Sequence, residues 1–290
     1  MPAQLDDLLA CLDLEQVEIL AYLGRCLKAG WRRVFGGLVV AQALAAASRT
    51  VEDWPPHSLH GYFILPGDPA IPIRYQVETL RNGKSFATRR CDALQNGQTI
   101  FSLIASFQKE EPGLDHHLPM PDVASPETLL SEAEIETRYG DLLPPAARLW
   151  SNSNQHPIET RFADISRFLD WKQRPPMQYI WFRAAGTLPD DPAIHRTVLA
   201  YMSDLTLLDT AFVAHGRAIF DAGLQVASLD HALWFHRPFR ADEWLLYAQD
   251  SPNTSGGRGL TRGLIYSRAG TLVASVAQEG LIRLRGAKDA

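Results

Sequence analysis

The chain has 290 residues, 46% of them hydrophobic and 21% charged, and a formal net charge of −5 at pH 7. Its length suits two domains of roughly 100–150 residues each, and an acidic balance with no basic run speaks against a general nucleic-acid binder. The three cysteines, Cys11, Cys26 and Cys91, are odd in number and far apart in sequence, which speaks against a disulfide framework or a zinc site.

The N-terminus, MPAQLDDLLACLDLEQVE, is acidic and amphipathic, unlike a secretory leader. No segment approaches the roughly 20 apolar residues of a membrane span, so no span is expected and the cytoplasm is the expected compartment. Leu5, Leu8, Leu9 and Leu12 fall at helical spacing and predict a short first helix. A strand is expected near Tyr22–Arg25. The stretch VFGGLVVAQALAAASRTV then opens on Gly36 and Gly37 and is apolar on most faces. It predicts a buried helix of about 15 residues, roughly 22 Å long.

Strand patterns follow. HSLHGYFIL runs to Pro66-Gly67-Asp68, and IPIRYQVETLRNG ends at a turn. SFATRRCDALQNG stops at Asn96-Gly97, a strong hairpin signal, and QTIFSLIASFQ returns, so the first half reads as one buried helix followed by an antiparallel meander. From about 110 to 177 the chain is rich in proline and acid, with Pro pairs at 144–145 and 175–176. It reads as a long connection with one short helix, Glu127–Tyr139. Within it His116 and His117 are adjacent, so they point apart on any regular element and read as a solvated pair rather than metal ligands. No metal and no cofactor is expected.

The second half repeats the first. YIWFRAAG reads as a strand and VLAYMSDLTLLDTAFVAHG as a second mostly apolar helix. EWLLYAQDSPNTSGGRG answers IRYQVETLRNGKS, with Tyr75 and Tyr247 in matching places. The turn glycines Gly97 and Gly270 also correspond. The expectation is a tandem α+β repeat, each copy an antiparallel sheet wrapped on one helix, with the two sheets able to join edge to edge. The expected division is 1–112, a connection 113–177, and 178–290.

One stretch stands out, VASLDHALWFHRPF over 226–239. It has the apolar and aromatic content of a buried strand, interrupted by Ser228, Asp230, His231 and His236. A buried polar group is costly unless it is hydrogen-bonded, so each needs a partner or a chemical task. Asp230 and His231 are neighbours and face opposite sides of a strand, which speaks against a catalytic dyad and for a structural role. His60 and His236 fall near matching points of the two repeats and read as core or ligand-edge histidines.

Taken in order, FGGxVVAQAL, HxYFxxPGD, the long connection, YxSDLxLL, ASLDHxxWFHRPF and a terminal VASxxQEG resemble the type II acyl-CoA thioesterases, over nearly the whole chain. The resemblance implies a double hotdog fold and hydrolysis of acyl-CoA to free fatty acid and CoA. It also implies that an aspartate at the start of the second helix, a hydroxyl residue on the following strand and a glutamine on the last strand hold the attacking water. These are Asp204, Ser228 and Gln278.

The chemistry fits those residue types. Water attack on a thioester needs a base, a group to orient the water and donors for the oxyanion. Asp204 can take the proton, while Ser228 and Gln278 both give and accept hydrogen bonds. A helix dipole would lower the Asp204 pKa and burial would raise it; sequence leaves that balance open. Amides at Gly37 and Leu205 are the oxyanion candidates. The first half has glycines where the second has Ser203-Asp204, so one active site per chain is expected.

Seen singly, Asp204 could be a helix cap and Ser228 and Gln278 ordinary strand residues. There is no G-x-S-x-G elbow, no P-loop and no dinucleotide fingerprint. Arg89, Arg90, Arg258 and Arg262 flank turns and are candidates for CoA phosphates, against the plainer reading of solvated strand-end arginines. Two rivals remain: a non-catalytic acyl-CoA binding protein, and a hotdog enoyl-CoA hydratase. The second fails a pattern test, because the residue five after Asp204 is Asp209 and not histidine. Exposed sheet edges in such folds are often covered by a second chain, so a homo-oligomer, dimer or tetramer, is expected.

Overall fold

A computed structural model of the chain describes residues 3–27, 33–143, 156–170, 172–219 and 221–285. The proline pair at 144–145 lies outside them.

The first half opens with α1 (Ala3–Leu12), β1 (Glu15–Glu18) and β2 (Ala21–Gly24), followed by α2 (Gly36–Ser48). Leu5 and Leu8 of α1 are fully buried, as their spacing requires of one helix face. In α2 every residue from 37 to 47 is buried, which is why its sequence is apolar all round. Strands β3 (Pro56–Phe63), β4 (Ile73–Asn82), β5 (Phe86–Gln95) and β6 (Gln98–Gln108) follow. Asn96 and Gly97 both have positive φ, 50° and 76°, the type I′ hairpin turn that asparagine followed by glycine favours.

The connection departs from the single expected helix. It holds a 3-10 turn (Pro126–Thr128), α3 (Glu132–Tyr139), β7 (Ile158–Phe162) and α4 (Ser166–Leu169). Helix α3 starts late because Ser131 and Glu134 form a reciprocal capping box. Earlier in the connection, Met120, Val123 and Leu129 pack over Trp181, Trp244, Leu246, Tyr266 and Leu272. The Trp181 indole donates to the Ala124 carbonyl at 2.9 Å. The segment is therefore a strap across the outer face of the second half, and His116 and His117 on it are exposed.

The second half contains β8 (Met177–Ala184), α5 (Pro192–Met202), α6 (Thr210–Val213), β9 (Leu224–Ser228), β10 (Asp230–Phe235), β11 (Leu245–Ser255), β12 (Arg258–Ser267) and β13 (Leu272–Leu284). The long second helix expected over 198–216 is broken. Helix α5 starts earlier, where Asp191 accepts from the Ala193 amide at 2.9 Å, and ends at Met202. Residues 203–209 form a turn before α6.

All described strands form one antiparallel sheet of 13, in the order β1-β2-β4-β5-β6-β3-β10-β13-β12-β11-β8-β7, with β9 beside β13. The order β4-β5-β6-β3 is mirrored by β10-β13-β12-β11, so the repeat read in the sequence is a repeat of topology, but neither half is the expected meander: β3 skips β4 to pair with β6, and β10 skips β11 to pair with β13. The halves join through β3 and β10, with Leu59 opposite Leu233 and His60 opposite Ala232. His60 lies within β3 and His236 just past the end of β10, and both are exposed rather than core. His60 lies edge-on to Trp234, and His236 Nε2 is 2.8 Å from Ser275 Oγ. Helices α2 and α5 pack on one another inside the curved sheet.

Candidate active site

The turn after α5 is the element that places Asp204. Its start is fixed by the Tyr247 hydroxyl, which donates to the Ser203 carbonyl at 2.9 Å. Its middle is fixed by two buried amides: Gln178 donates to the Thr206 carbonyl at 3.0 Å and Gln249 to the Thr206 hydroxyl at 2.7 Å. Asp204 therefore follows the C-terminal end of α5, not a helix start as the resemblance implied. The helix start that does face it belongs to the other half, since Gly36 at the head of α2 abuts the Asp204 carboxylate and the Gly37 amide there favours its ionised form.

Gln278 on β13 completes the group. Its Nε2 donates to Asp204 Oδ1 at 2.7 Å and to Ser228 Oγ at 2.8 Å. Ser228, the last residue of β9, stands opposite Gly280 in register. The three residues, distant in sequence, thus share one amide group. Gln278 is fully buried, and its Oε1 has no hydrogen-bond partner among the described residues. Burial pushes the Asp204 carboxyl up to about 7, against the opposing pull of its bonds from Gln278 and Gly37. Desolvation, the larger of the two effects that sequence left in balance, decides the outcome.

Gly36 and Gly37 are required by contact. A Cβ on Gly36 would lie 2.8 Å from Asp204 Oδ2 and 2.9 Å from the Phe63 ring, and one on Gly37 would lie 2.5 Å from the Tyr201 carbonyl. Of the two amides offered for the oxyanion, that of Gly37 serves Asp204 and that of Leu205 donates to the Met202 carbonyl at 3.1 Å.

His231 belongs to this site, which the sequence reading passed over. It is fully buried, with Nδ1 at 3.9 Å from Asp204 Oδ1 and Nε2 at 2.8 Å from Ser203 Oγ. The signal was present: alternation along β10 puts His231, Leu233 and Phe235 on the inner face. Asp230 does face away from it, accepting from the Glu279 amide at 2.7 Å.

The four arginines lie elsewhere. Arg89 is buried, unlike either reading of it, and its guanidinium donates to the Thr50 hydroxyl and carbonyl and to the Arg81 and Thr88 carbonyls. Arg90 pairs with Asp92, Arg258 with Glu279 and Arg262 with Asp250. Among the described residues no three metal-binding side chains cluster, and no helix is long and apolar enough to cross a membrane.

One carboxylate buried between two sheet-borne polar groups and a helix head, inside a tandem helix-in-sheet repeat, defines a hydrolase-type site on a double hotdog. A solved hotdog protein from Alicyclobacillus acidocaldarius shares this fold at 19% identity, with TM-score 0.77 over 96% of this chain and 98% of that one.

The family model for acyl-CoA thioesterase matches residues 151–281, and that for the acyl-CoA thioesterase N-terminal domain matches residues 27–108. Acyl-CoA thioesterase 2 of Haemophilus influenzae is 40% identical, over 96% of this chain and 98% of its own length. The crystal structure of the acyl-CoA thioesterase II TesB2 from Mycobacterium marinum is 42% identical. It superposes with TM-score 0.79 over 97% of this chain and all of that one. The chain belongs to the acyl-CoA thioesterase family.

Proposed function

We propose that this chain hydrolyses acyl-CoA to free fatty acid and CoA by direct attack of water, with Asp204 as general base and Ser228 and Gln278 holding the water. The observation that carries this reading is the Gln278 amide, which touches both Asp204 and Ser228 at hydrogen-bond distance. Three groups so close can share one water molecule. Asp204 takes a proton from the water as its oxygen bonds to the thioester carbon. The carbon–sulfur bond then breaks with its electron pair on sulfur, and the thiolate recovers the proton from Asp204. A base with a pKa near the working pH is the efficient one.

Leu205 drops out of the reading as an oxyanion donor, because its amide is spent within the turn. Oxyanion charge is offset instead from the positive end of α2, where Gly36 and Gly37 open the helix. Covalent attack by Ser228 is disfavoured, since its hydroxyl contacts an amide and not a base. For CoA phosphates, Arg89 is withdrawn by burial, while Arg90, Arg258 and Arg262 remain surface candidates only by releasing their carboxylate partners. The division into 1–112, a connection 113–177 and 178–290 is part of the reading, with β7 of the connection paired to β8 at the edge of the second half. A homo-oligomer is part of the same reading: β1 and β7 end the strand order, and Tyr62 and Ile104 are exposed on the sheet.

Thiol release measured across acetyl- to stearoyl-CoA tests the activity, and Gln278→Ala tests the site, with an expected loss of about 10²-fold in kcat. Acyl-CoA binding by calorimetry with no thiol release would favour a non-catalytic binding protein. A wild-type rate for Gln278→Ala would return that residue to the scaffold.

A further inference from the structure

Two buried polar atoms beside Asp204 have no hydrogen-bond partner among the described residues: Gln278 Oε1 and His231 Nδ1. The second is informative because its protonation state can be deduced. Ser203 Oγ is 2.9 Å from the Ala200 carbonyl and 2.8 Å from His231 Nε2. A carbonyl only accepts, so the single hydroxyl proton of Ser203 points to Ala200. Nε2 must then be the donor to Ser203, and Nδ1 carries the bare lone pair. That lone pair sits 3.9 Å from Asp204 Oδ1, with His231 fully buried and Asp204 only 5% exposed.

Asp204 is therefore unequally surrounded. Gln278 Nε2 and the Gly37 amide are donors and suit the carboxylate. His231 Nδ1 is an acceptor and suits the carboxylic acid. Among the described residues, the other titratable groups coupled to Asp204 are Tyr201 from α5 and Tyr247 from β11, and burial holds both phenols above their usual range and uncharged.

We propose that His231 is a positioning residue of the hydrolytic reaction: once Asp204 has taken the proton of water, its carboxyl donates a hydrogen bond to His231 Nδ1, which holds the protonated acid until it returns the proton to the leaving thiolate. The inference rests on the reading of Asp204 as base. His231 itself gains no proton, since burial pushes its own pKa down to about 4. Ser203 is the anchor that keeps Nδ1 free, and a gap of 3.9 Å closes by a small turn of the carboxyl as catalytic hydrogen bonds tighten.

The test is histidine 15N spectroscopy on the full-length protein from mildly acidic to mildly alkaline pH. Wild type is expected to show His231 as the Nε2–H tautomer throughout, with its Nδ1 signal shifting as Asp204 titrates. In Asp204→Asn that transition is expected to vanish. Kinetically, His231→Phe is expected to lower kcat roughly tenfold with KM unchanged, the scale of one hydrogen bond, and His231→Asn, whose amide oxygen can stand near Nδ1, to recover part of it. An Nδ1 signal indifferent to Asp204, or a wild-type kcat in a folded His231→Phe, overturns the proposal. If Asp204→Asn itself turns over normally, the base reading fails; if it is inactive while the wild-type Nδ1 signal shows no transition, only the present inference fails.

Discussion

Gly36 at the head of α2 packs so closely on Asp204 that a Cβ there would lie 2.8 Å from Oδ2, so the helix start of one half abuts the turn after α5 in the other. The site is thus shared between the repeats, although Asp204, Ser228 and Gln278 all come from the second. The first half contributes a helix end and two residues without side chains.

Asp204→Asn is expected to fold normally and to lose at least about 10²-fold in kcat, the lower end of what general-base catalysis contributes. The amide can still accept from Gln278 but cannot take a proton. Thiol release beside a circular dichroism spectrum checks it, and unchanged turnover removes Asp204 from the mechanism.

The pH–rate profile should report the Asp204 carboxyl directly. A base must be ionised to act, so kcat/KM is expected to rise with pH through about 7 and level off above. Below that point the rate should fall about tenfold per unit. A profile flat through neutrality contradicts the assignment.

Stability should move the opposite way. The folded pKa of Asp204 is raised from 3.8 to about 7, so the folded state holds a proton that the unfolded chain has lost. Its contribution is fully present below the unfolded value and is lost as pH rises toward the folded one. Asp204→Asn, which never ionises, is therefore expected to gain on wild type by roughly 4 kcal/mol at pH 8 and little at pH 4. Denaturant melts at the two pH values decide it; an equal effect at both would mean the carboxylate is not strained by burial.

Gly36→Ala is expected to impair activity more than stability. Its Cβ would meet Asp204 Oδ2 at 2.8 Å and Phe63 at 2.9 Å, and the carboxylate is already held by two donors. A destabilisation of about 1–3 kcal/mol is the usual cost of overpacking, with kcat lowered because Asp204 is displaced from Gln278. A variant with wild-type kcat shows that the carboxylate tolerates the shift.

Arg89→Leu distinguishes a scaffold role from a CoA contact. The Arg89 side chain serves the Thr50 and Arg81 carbonyls from a buried position, so its loss should cost about 2 kcal/mol through acceptors left unpaired. KM for acyl-CoA should not change. A raised KM with unchanged stability would restore Arg89 to the substrate.

Much of this was legible in the residues themselves. The period of α2 and the Asn96-Gly97 turn follow from local pattern, because a helix apolar all round has to be enclosed and a turn needs its own backbone angles, whereas the pairing of β3 with β6 rather than β4 does not. The family blocks marked Asp204, Ser228 and Gln278. What local pattern does not encode is which sheet edge meets which, and that choice put Phe63 of β3 and the head of α2 against the turn carrying Asp204. It also brought in His231, whose inward direction could be read from alternation but whose neighbour could not. The Asp204 pKa depends on how much water the assembled halves exclude, and the approach of Gly36 to Asp204 exists only after they meet. The residues therefore named the chemical groups, while long-range packing set their distances, protonation and surroundings, since each of these depends on atoms far apart in the chain.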